Sequence, residues 1–427
     1  MRKFSSFRSP LILLGMGVIL PLGTVIEAEA GAFTIRSQSA AGYGTVLAGV
    51  AAGGNLSYVY WNAAALADID SLQITGVASG IFPSFRVTPD SATNAIVAGL
   101  GGTPSGSVNV TPNAFVPASF FATPINDRLT FGVATTSPFG LATKAPVNWA
   151  GQVYSRDSEI FSLNVNPMVS YRISDRLSVG AGVQFQYFKA DLTQAISPVP
   201  NASDISLRAS HLGMGFNLGI QFKPLRGTSI GLGYRSSISH SLKGRIAMPA
   251  ARIPVSTRME TPDIVSLGIR QAVTDRFRLL GTIEWNHWSR MGQLPVQIAG
   301  TNATVTTLHM NYRDGWLFSA GGEYDLSDRF TVRGGVGYET SPVTDANRDT
   351  RLPEVDQFML AAGFTYRHNE RLSVDASFLQ SFGLGTGRID IGPDDPRFVG
   401  LPFHGTSKVD VSVVSVSLNY RFDGPLW

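Results

Sequence analysis

Over most of its length this chain alternates apolar and polar residues, in runs separated by short polar turns. Phe330, Val332, Gly334, Val336 and Tyr338 fall on one face, with Thr331, Arg333, Gly335, Gly337 and Glu339 on the other. Likewise Leu177, Val179, Ala181, Val183, Phe185 and Tyr187 oppose Ser178, Gly180, Gly182, Gln184 and Gln186. A period of two is that of a strand. One phrase, a polar residue, an acid and an arginine, precedes the runs five times: Asn126-Asp127-Arg128, Ser174-Asp175-Arg176, Thr274-Asp275-Arg276, Ser327-Asp328-Arg329 and Asn369-Glu370-Arg371. Tight turns of this kind join antiparallel neighbours. The pattern predicts about 14 strands, at 73–87, 113–123, 128–143, 158–172, 176–190, 207–222, 228–240, 259–272, 276–288, 312–325, 329–339, 355–367, 371–382 and 408–422. The long loops are then 88–112, 144–157, 191–206, 241–258, 289–311, 340–354 and 383–407. An even strand count suits a single-chain bacterial barrel, with the short repeated turns on its periplasmic rim.

Residues 31–70 differ in kind. Small-residue runs (Ser39-Ala40-Ala41, Ala48 to Ala52, Ala63-Ala64-Ala65) carry little alternation and predict short helical turns in a compact segment. A solvated periplasmic tail is the alternative. Phe33, Ile35, Val46, Leu47, Tyr58, Tyr60 and Trp61 are too apolar for one, so the segment reads as a plug inside the barrel. Residues 1–30 read as a secretory signal: Arg2, Lys3 and Arg8, an apolar stretch from Leu11 to Leu22, and Ala28-Glu29-Ala30 as a cleavage site. The division expected is 1–30 signal, 31–70 plug and 71–427 barrel.

Only 15% of the 427 residues are charged, against about 25% in a soluble protein. After residue 30 no apolar run reaches the roughly 18–20 residues of a spanning helix. Helices and closed barrels alone satisfy their backbone in lipid, so the fold class expected is all-β, a transmembrane barrel in a bacterial outer membrane. Tyr171, Tyr187, Tyr234, Trp285, Trp288, Trp316, Tyr338 and Tyr366 suit interfacial girdles. Net charge is +3 and cysteine is absent; no basic cluster with interleaved aromatics points to nucleic acid.

Catalytic and metal chemistry find little support. Gly227-Thr228-Ser229-Ile230-Gly231 has the hydrolase spacing but lies at a turn between strands, where that motif needs a strand, turn and helix. The six histidines lack metal-ligand spacing. A solvated turn accounts for Asp394-Asp395, with a calcium site as the alternative. No enzyme, metal or cofactor is expected.

Two ordered blocks are more specific. Pro124 to Gly132 with Thr136-Ser137-Pro138-Phe139-Gly140-Leu141-Ala142-Thr143 is one; Ser341-Pro342-Val343, Asn347-Arg348, Pro353, Asp356, Gly363 and Tyr366 form the other. With Phe33, Gly42, Gly44 and Asn62-Ala63-Ala64, they make the chain resemble the FadL-type outer-membrane transporters of long-chain fatty acids and hydrocarbons. The resemblance implies a 14-stranded antiparallel barrel closed by an N-terminal helical hatch, with gating at Phe33, Asn62, Ala63 and Ala64. It implies a kink in the third strand at Pro138, Phe139 and Gly140 that opens the wall sideways, with Asn62 facing it; an ordinary strand end is the alternative. Ala63 stands where the family's Asn-Pro-Ala motif has proline. Gln194 and Leu308 fall where the family places basic residues for a ligand carboxylate, so Lys189, His309 and Arg313 are the candidates for that role. Apolar residues in two loops (Ile196, Val199, Ile246, Met248, Ile253, Val255) form either a capture groove or a mutual packing surface. The expected partners are a hydrophobic small molecule, fatty acid or hydrocarbon, and outer-membrane lipid with lipopolysaccharide, the barrel acting as a monomer.

Overall fold

The computed structural model describes residues 31–426; the predicted signal, residues 1–30, lies outside the described residues. Fourteen antiparallel strands close into a barrel, the first (Gln73–Pro89) pairing along its whole length with the last (Phe403–Arg421). Between them run the second (Ala114–Pro124), third (Leu129–Thr136, then Gly140–Lys144), fourth (Asp157–Ser174), fifth (Leu177–Ala195) and sixth (Asp204–Phe222). Next come the seventh (Thr228–Arg235 and Ser239–Met248), eighth (Ala251–Glu260 and Ile264–Ala272) and ninth (Phe277–Asn286 and Gln293–Ile298). The tenth (Thr304–His309 and Gly315–Ser327), eleventh (Phe330–Thr340), twelfth (Gln357–Arg367) and thirteenth (Leu372–Gly383 and Gly387–Ile391) complete the wall.

Alternation sorts the two faces as the sequence predicts. On the sixth strand Leu212, Met214, Phe216, Leu218, Ile220 and Phe222 are all exposed outward, while Asn217 and Gln221 are buried in the lumen. Such an apolar outer band with a polar interior is the signature of a barrel in lipid. Tyr171, Tyr324, Tyr366 and Tyr420 ring the end bearing the tight turns, with Trp316 and Tyr338 at the other. The repeated turns owe their polar first residue to a local cap. Asn126 Oδ1 accepts from the N–H groups of Arg128 and Leu129 at 2.9 Å each, and Asn369 Oδ1 from Arg371 and Leu372 at 2.9 and 2.8 Å. Ser174 and Thr274 do the same through their hydroxyls.

Two predicted loops are strand. Residues 241–258 and 289–311 form hairpins that rise above the apolar band, Ser239 to Met248 pairing with Ala251 to Glu260, and Gln293 with His309. Their alternation is weak because both faces of that height meet water, and exposed Lys243 and Arg258 stand where the band would have apolar groups. Ile246, Val255 and Val296 pack together there, with Met248 and Ile253 at the edge; these apolar residues mainly cover one another. Ile196 and Val199 stay exposed. The first long loop contains a helix, Ser91–Gly99, whose N-terminus Asp90 caps by accepting from Thr93 N at 2.7 Å.

Residues 31–69 fill the lumen as short turns: a helix at Ala40–Tyr43 and 3-10 turns at Val50–Ala52, Leu56–Tyr60 and Ala63–Asp68. All but Gly54 and Asn55, with Asp68 partly so, are buried. The predicted plug is therefore a plug in geometry. Residues 341–356, between the eleventh and twelfth strands, also fold inward, burying Val343, Arg348, Leu352 and Glu354.

Candidate functional site

The third strand carries one residue too many. Thr136 pairs with Asn164 and Gly140 with Phe161, so three residues (137–139) face two (162–163) of the fourth strand. The phase of the alternation flips there: Thr130, Ala134 and Thr136 are buried below, Phe139, Leu141 and Thr143 above. A bulge bends the strand that carries it. The bent stretch turns into the lumen and pairs with the hatch. Thr34 lies opposite Phe139, Ile35 N donates to Pro138 O at 2.8 Å, and Gly140 N donates to Phe33 O at 2.8 Å. Ser162 holds the other side, its hydroxyl accepting from Phe139 N at 2.8 Å and donating to Phe139 O at 2.7 Å.

Strand two pays no attention to this detour. Ser119 to Pro124 pair with the third strand, but Ala114 to Ala118 pair with the first strand alone. The ladder between strands two and three therefore ends at Thr135, leaving a break in the wall beside the kink.

Above the kink lies an apolar cavity of about 80 Å³, bounded by Phe33, Leu141, Ile160, Phe188, Met291 and Leu308. Phe33 is 2% exposed and sits between cavity and kink. Its ring meets Trp288 at 4.6 Å, Phe139 at 6.1 Å and Phe188 at 6.5 Å between centroids, all edge-on. Trp288, expected at the lipid interface, is instead a buried lumenal residue: the ninth strand breaks at Trp288–Arg290 and turns the indole inward. Arg351 supplies a cation at the cavity wall. Its guanidinium donates to neutral groups, Ser158 Oγ and Gln194 Oε1 at 2.9 Å each and more weakly to Thr193 O. No carboxylate among the described residues lies within ion-pair distance of it. Burial, partly offset by the charge of Asp349, pulls its pKa down to about 10.

The Asn62 motif docks elsewhere than expected. Asn62 does not face the kink; its amide donates to Ala51 O at 2.7 Å and Ile220 O at 2.9 Å, and its carbonyl accepts from Ala64 N at 2.9 Å. Ala63 and Ala64 press on glycines of strands five and six, and Trp61 and Asn62 on Gly233 of strand seven. A Cβ at Gly180 would stand 2.4 Å from Ala63 C, and one at Gly219 2.0 Å from Asn62 Oδ1. Only glycine permits so close an approach.

Beneath the hatch the lumen is ionic. Glu323 pairs with Arg278 at 3.0 Å and Arg270 at 3.1 Å, and Arg333 reaches Asp375 at 3.4 Å. These groups line a polar cavity of about 430 Å³. At the hatch's first residues a second cluster forms: Arg36 pairs with Glu339 at 2.6 Å and Glu284 at 3.0 Å, while Glu354 accepts from Gly31 N at 2.6 Å and Ala32 N at 2.8 Å. Burial, followed by the charge of Glu339, pushes the Glu354 carboxyl up to about 8.

Of the candidate ligand-pocket residues, none lines the cavity. Lys189 pairs with Glu159 at 2.9 Å, Arg313 with Asp356 at 3.1 Å, and His309 follows Leu308, which does face in. Ser229 lies in the seventh strand and donates to Ala52 O at 2.6 Å, a hatch contact. Asp395 pairs with Arg397 at 2.5 Å.

A kinked strand bonded to a lumenal plug narrows the comparison to one kind of barrel. The family model described as outer membrane protein transport protein (OMPP1/FadL/TodX) matches residues 24–422. The chain belongs to this family. Its relatives include the long-chain fatty acid transport proteins of Salmonella typhi, 27% identical over 67% of this chain and 73% of the relative. That of Escherichia coli strain K12 is 26% identical over 69% and 77%, and outer membrane protein P1 of Haemophilus influenzae is 23% identical over 99% and 100%. A crystal structure of a Pseudomonas aeruginosa FadL homologue superposes with a TM-score of 0.82 at 24% identity, covering 92% of this chain and 100% of that one. The Ralstonia pickettii toluene transporter TbuX gives 0.65 at 17%, covering 91% and 100%. This FadL-family protein is thus an outer-membrane transporter of hydrophobic substrates.

Proposed function

We propose that this FadL-family barrel takes up long-chain fatty acids passively, holding them in the cavity above Phe33 and releasing them sideways through the break between strands two and three. The observation that carries the reading is the inward kink at Pro138–Gly140, bonded to the hatch next to a stretch of strand two whose edge towards strand three is open. The polarity of the two directions supports it. An alkyl chain gains about 0.8 kcal/mol for each methylene moved out of water. The straight path to the periplasm runs through the Arg270, Arg278, Glu323 and Arg333 ion pairs, where that gain is lost. The sideways path meets Phe139, Leu141 and then lipid.

Arg351 supports a carboxylate cargo: a guanidinium on an apolar cavity, bonded to neutral acceptors, suits an anionic headgroup. The residue escaped sequence reasoning because it lies in a loop that folds inward, yet it bonds Gln194, one of the positions where the family places a base. A monoaromatic hydrocarbon is the second reading, favoured by the small closed volume of about 80 Å³.

Binding of a labelled fatty acid and of toluene to the purified barrel, with uptake of each into liposomes, tests the two. Fatty acid binding that Arg351→Met weakens at least tenfold supports the first. Equal binding in both proteins, with toluene taken up faster, overturns it.

A further inference from the structure

The hatch begins beside a buried carboxylate that has no cation within ion-pair distance among the described residues. Glu354 is fully buried, and its carboxylate accepts from the N–H groups of Gly31 and Ala32 at 2.6 and 2.8 Å. No basic side chain among the described residues lies within 4 Å of it; Arg348 donates its Nε to the backbone oxygen of Glu354 instead, at 2.7 Å. Glu339 and Glu284 lie close by and share one guanidinium, Arg36. With all three carboxylates ionised, these three acids and Arg36 together carry a net charge of −2. A buried charge without a counter-ion is unfavourable.

Gly31 sits at the centre of this cluster. A Cβ there would stand 2.5 Å from Glu339 Oε1 and 2.9 Å from Arg36 Nη1, and φ is +88°. The sequence places the small-residue cleavage site, Ala28-Glu29-Ala30, directly before it. We propose that signal-peptidase cleavage after Ala30 makes the α-ammonium of Gly31 the counter-ion of Glu354, so that the mature chain begins as an ion pair inside the lumen. This goes beyond the transport reading and rests on the signal reading of residues 1–30. In the step one water hydrolyses the Ala30–Gly31 amide. Ala30 leaves as a carboxylate, and Gly31 keeps the nitrogen with the water's protons as –NH3⁺. One neutral donor becomes a cation with three, and the cluster falls to −1. The raised Glu354 carboxyl, which accepts only neutral N–H groups from an uncleaved chain, agrees with the need for this charge.

The position gives the pair a role. Phe33, two residues on, separates the cavity from the kink and bonds Gly140 through its carbonyl. Glu354 follows Arg351 and Leu352 of the cavity wall on the same loop. The pair thus fixes the start of the gate to the loop that touches the cavity, and removal of the signal completes the closed state.

The test uses the full-length protein exported and purified from outer membranes. N-terminal mapping should find Gly31 as the first residue. Modification by a succinimidyl ester at pH 7, read on the N-terminal peptide, should be at least tenfold slower in the folded barrel than in the unfolded chain. The Glu354→Gln variant should recover at least fivefold in rate. An extra alanine inserted before Gly31 displaces the amine and should also recover reactivity, which serves if Glu354→Gln fails to assemble. A different first residue, equal rates folded and unfolded, or slow labelling that neither variant relieves would each overturn the proposal.

Discussion

Joining hatch to kink with a covalent bond should stop transport. Thr34 and Phe139 lie opposite each other in an isolated antiparallel bridge, flanked by the bonds Ile35 N to Pro138 O and Gly140 N to Phe33 O. That arrangement makes them a non-hydrogen-bonded pair, whose Cα atoms stand about 4.5 Å apart, inside the roughly 4.4–6.8 Å that a disulfide spans. The chain has no cysteine, so the variant Thr34→Cys with Phe139→Cys can form only this bond. In the native protein, opening breaks two backbone hydrogen bonds, about 0.5–1.5 kcal/mol each, and three edge-on ring contacts of Phe33, about 0.5–1.5 kcal/mol each. The sum, about 2.5–7.5 kcal/mol, leaves an open state that heat populates. A disulfide removes that state. Uptake of a fluorescent fatty acid into liposomes should fall in proportion to the cross-linked fraction, and reductant should restore it. Equal uptake by oxidised and reduced protein would refute the reasoning that hatch and kink must separate.

Three further outcomes follow from single groups. Arg351→Met should raise the Kd for a fatty acid about 10- to 100-fold, from the loss of a charged hydrogen bond worth about 1.5–3 kcal/mol, and leave toluene binding unchanged in calorimetry. Gly219→Ala would set a Cβ 2.0 Å from Asn62 Oδ1 and 2.8 Å from Ala64 N; the hatch should lose its seat, read as faster proteolysis of residues 31–70 and permeation by small sugars while the barrel stays assembled. Glu354, raised from its ordinary 4.5 to about 8, favours the protonated folded state. With the amine of Gly31 blocked, hatch stability should therefore be greatest below about pH 4.5 and decline as pH rises toward 8. Arg36, Glu339 and Glu284 face the same cluster, so the comparison is with the free-amine protein, in which proteolysis at pH 5 and 8 should differ less.

The sequence displayed what one strand at a time can encode. Alternation, the capped turns and the hatch's small apolar residues were legible because each obeys a local rule. The kink's place came from the family resemblance, with Pro138 and Gly140 interrupting the ladder; along the sequence Phe139 and Leu141 keep the phase of Leu129, Phe131 and Val133, so the inward flip shows only in the structure. What escaped depends on distant chain. The hairpins at 241–258 and 289–311 stand above the lipid band, where no single apolar face is required. Trp288 looks like any aromatic at a strand end, and only the break at Trp288–Arg290 turns it inward. Asn62 bonds Ile220 O and lies against Gly219, Gly231 and Gly233, on two strands more than a hundred residues away. Arg351 carries no motif; the inward fold of its loop gives it a place on the cavity.

Deleting Pro138 tests the lateral route most directly. With it gone, two residues (137 and 139) face two (162 and 163), so the pairing of Thr136 with Asn164 runs on in one register to Gly140 with Phe161. The strand can then run straight and pair with Ala114–Ala118, which now pair with the first strand alone. Fatty acid uptake into liposomes by the assembled, heat-modifiable barrel should be lost. Uptake at the rate of the unaltered protein would contradict a sideways exit at this kink.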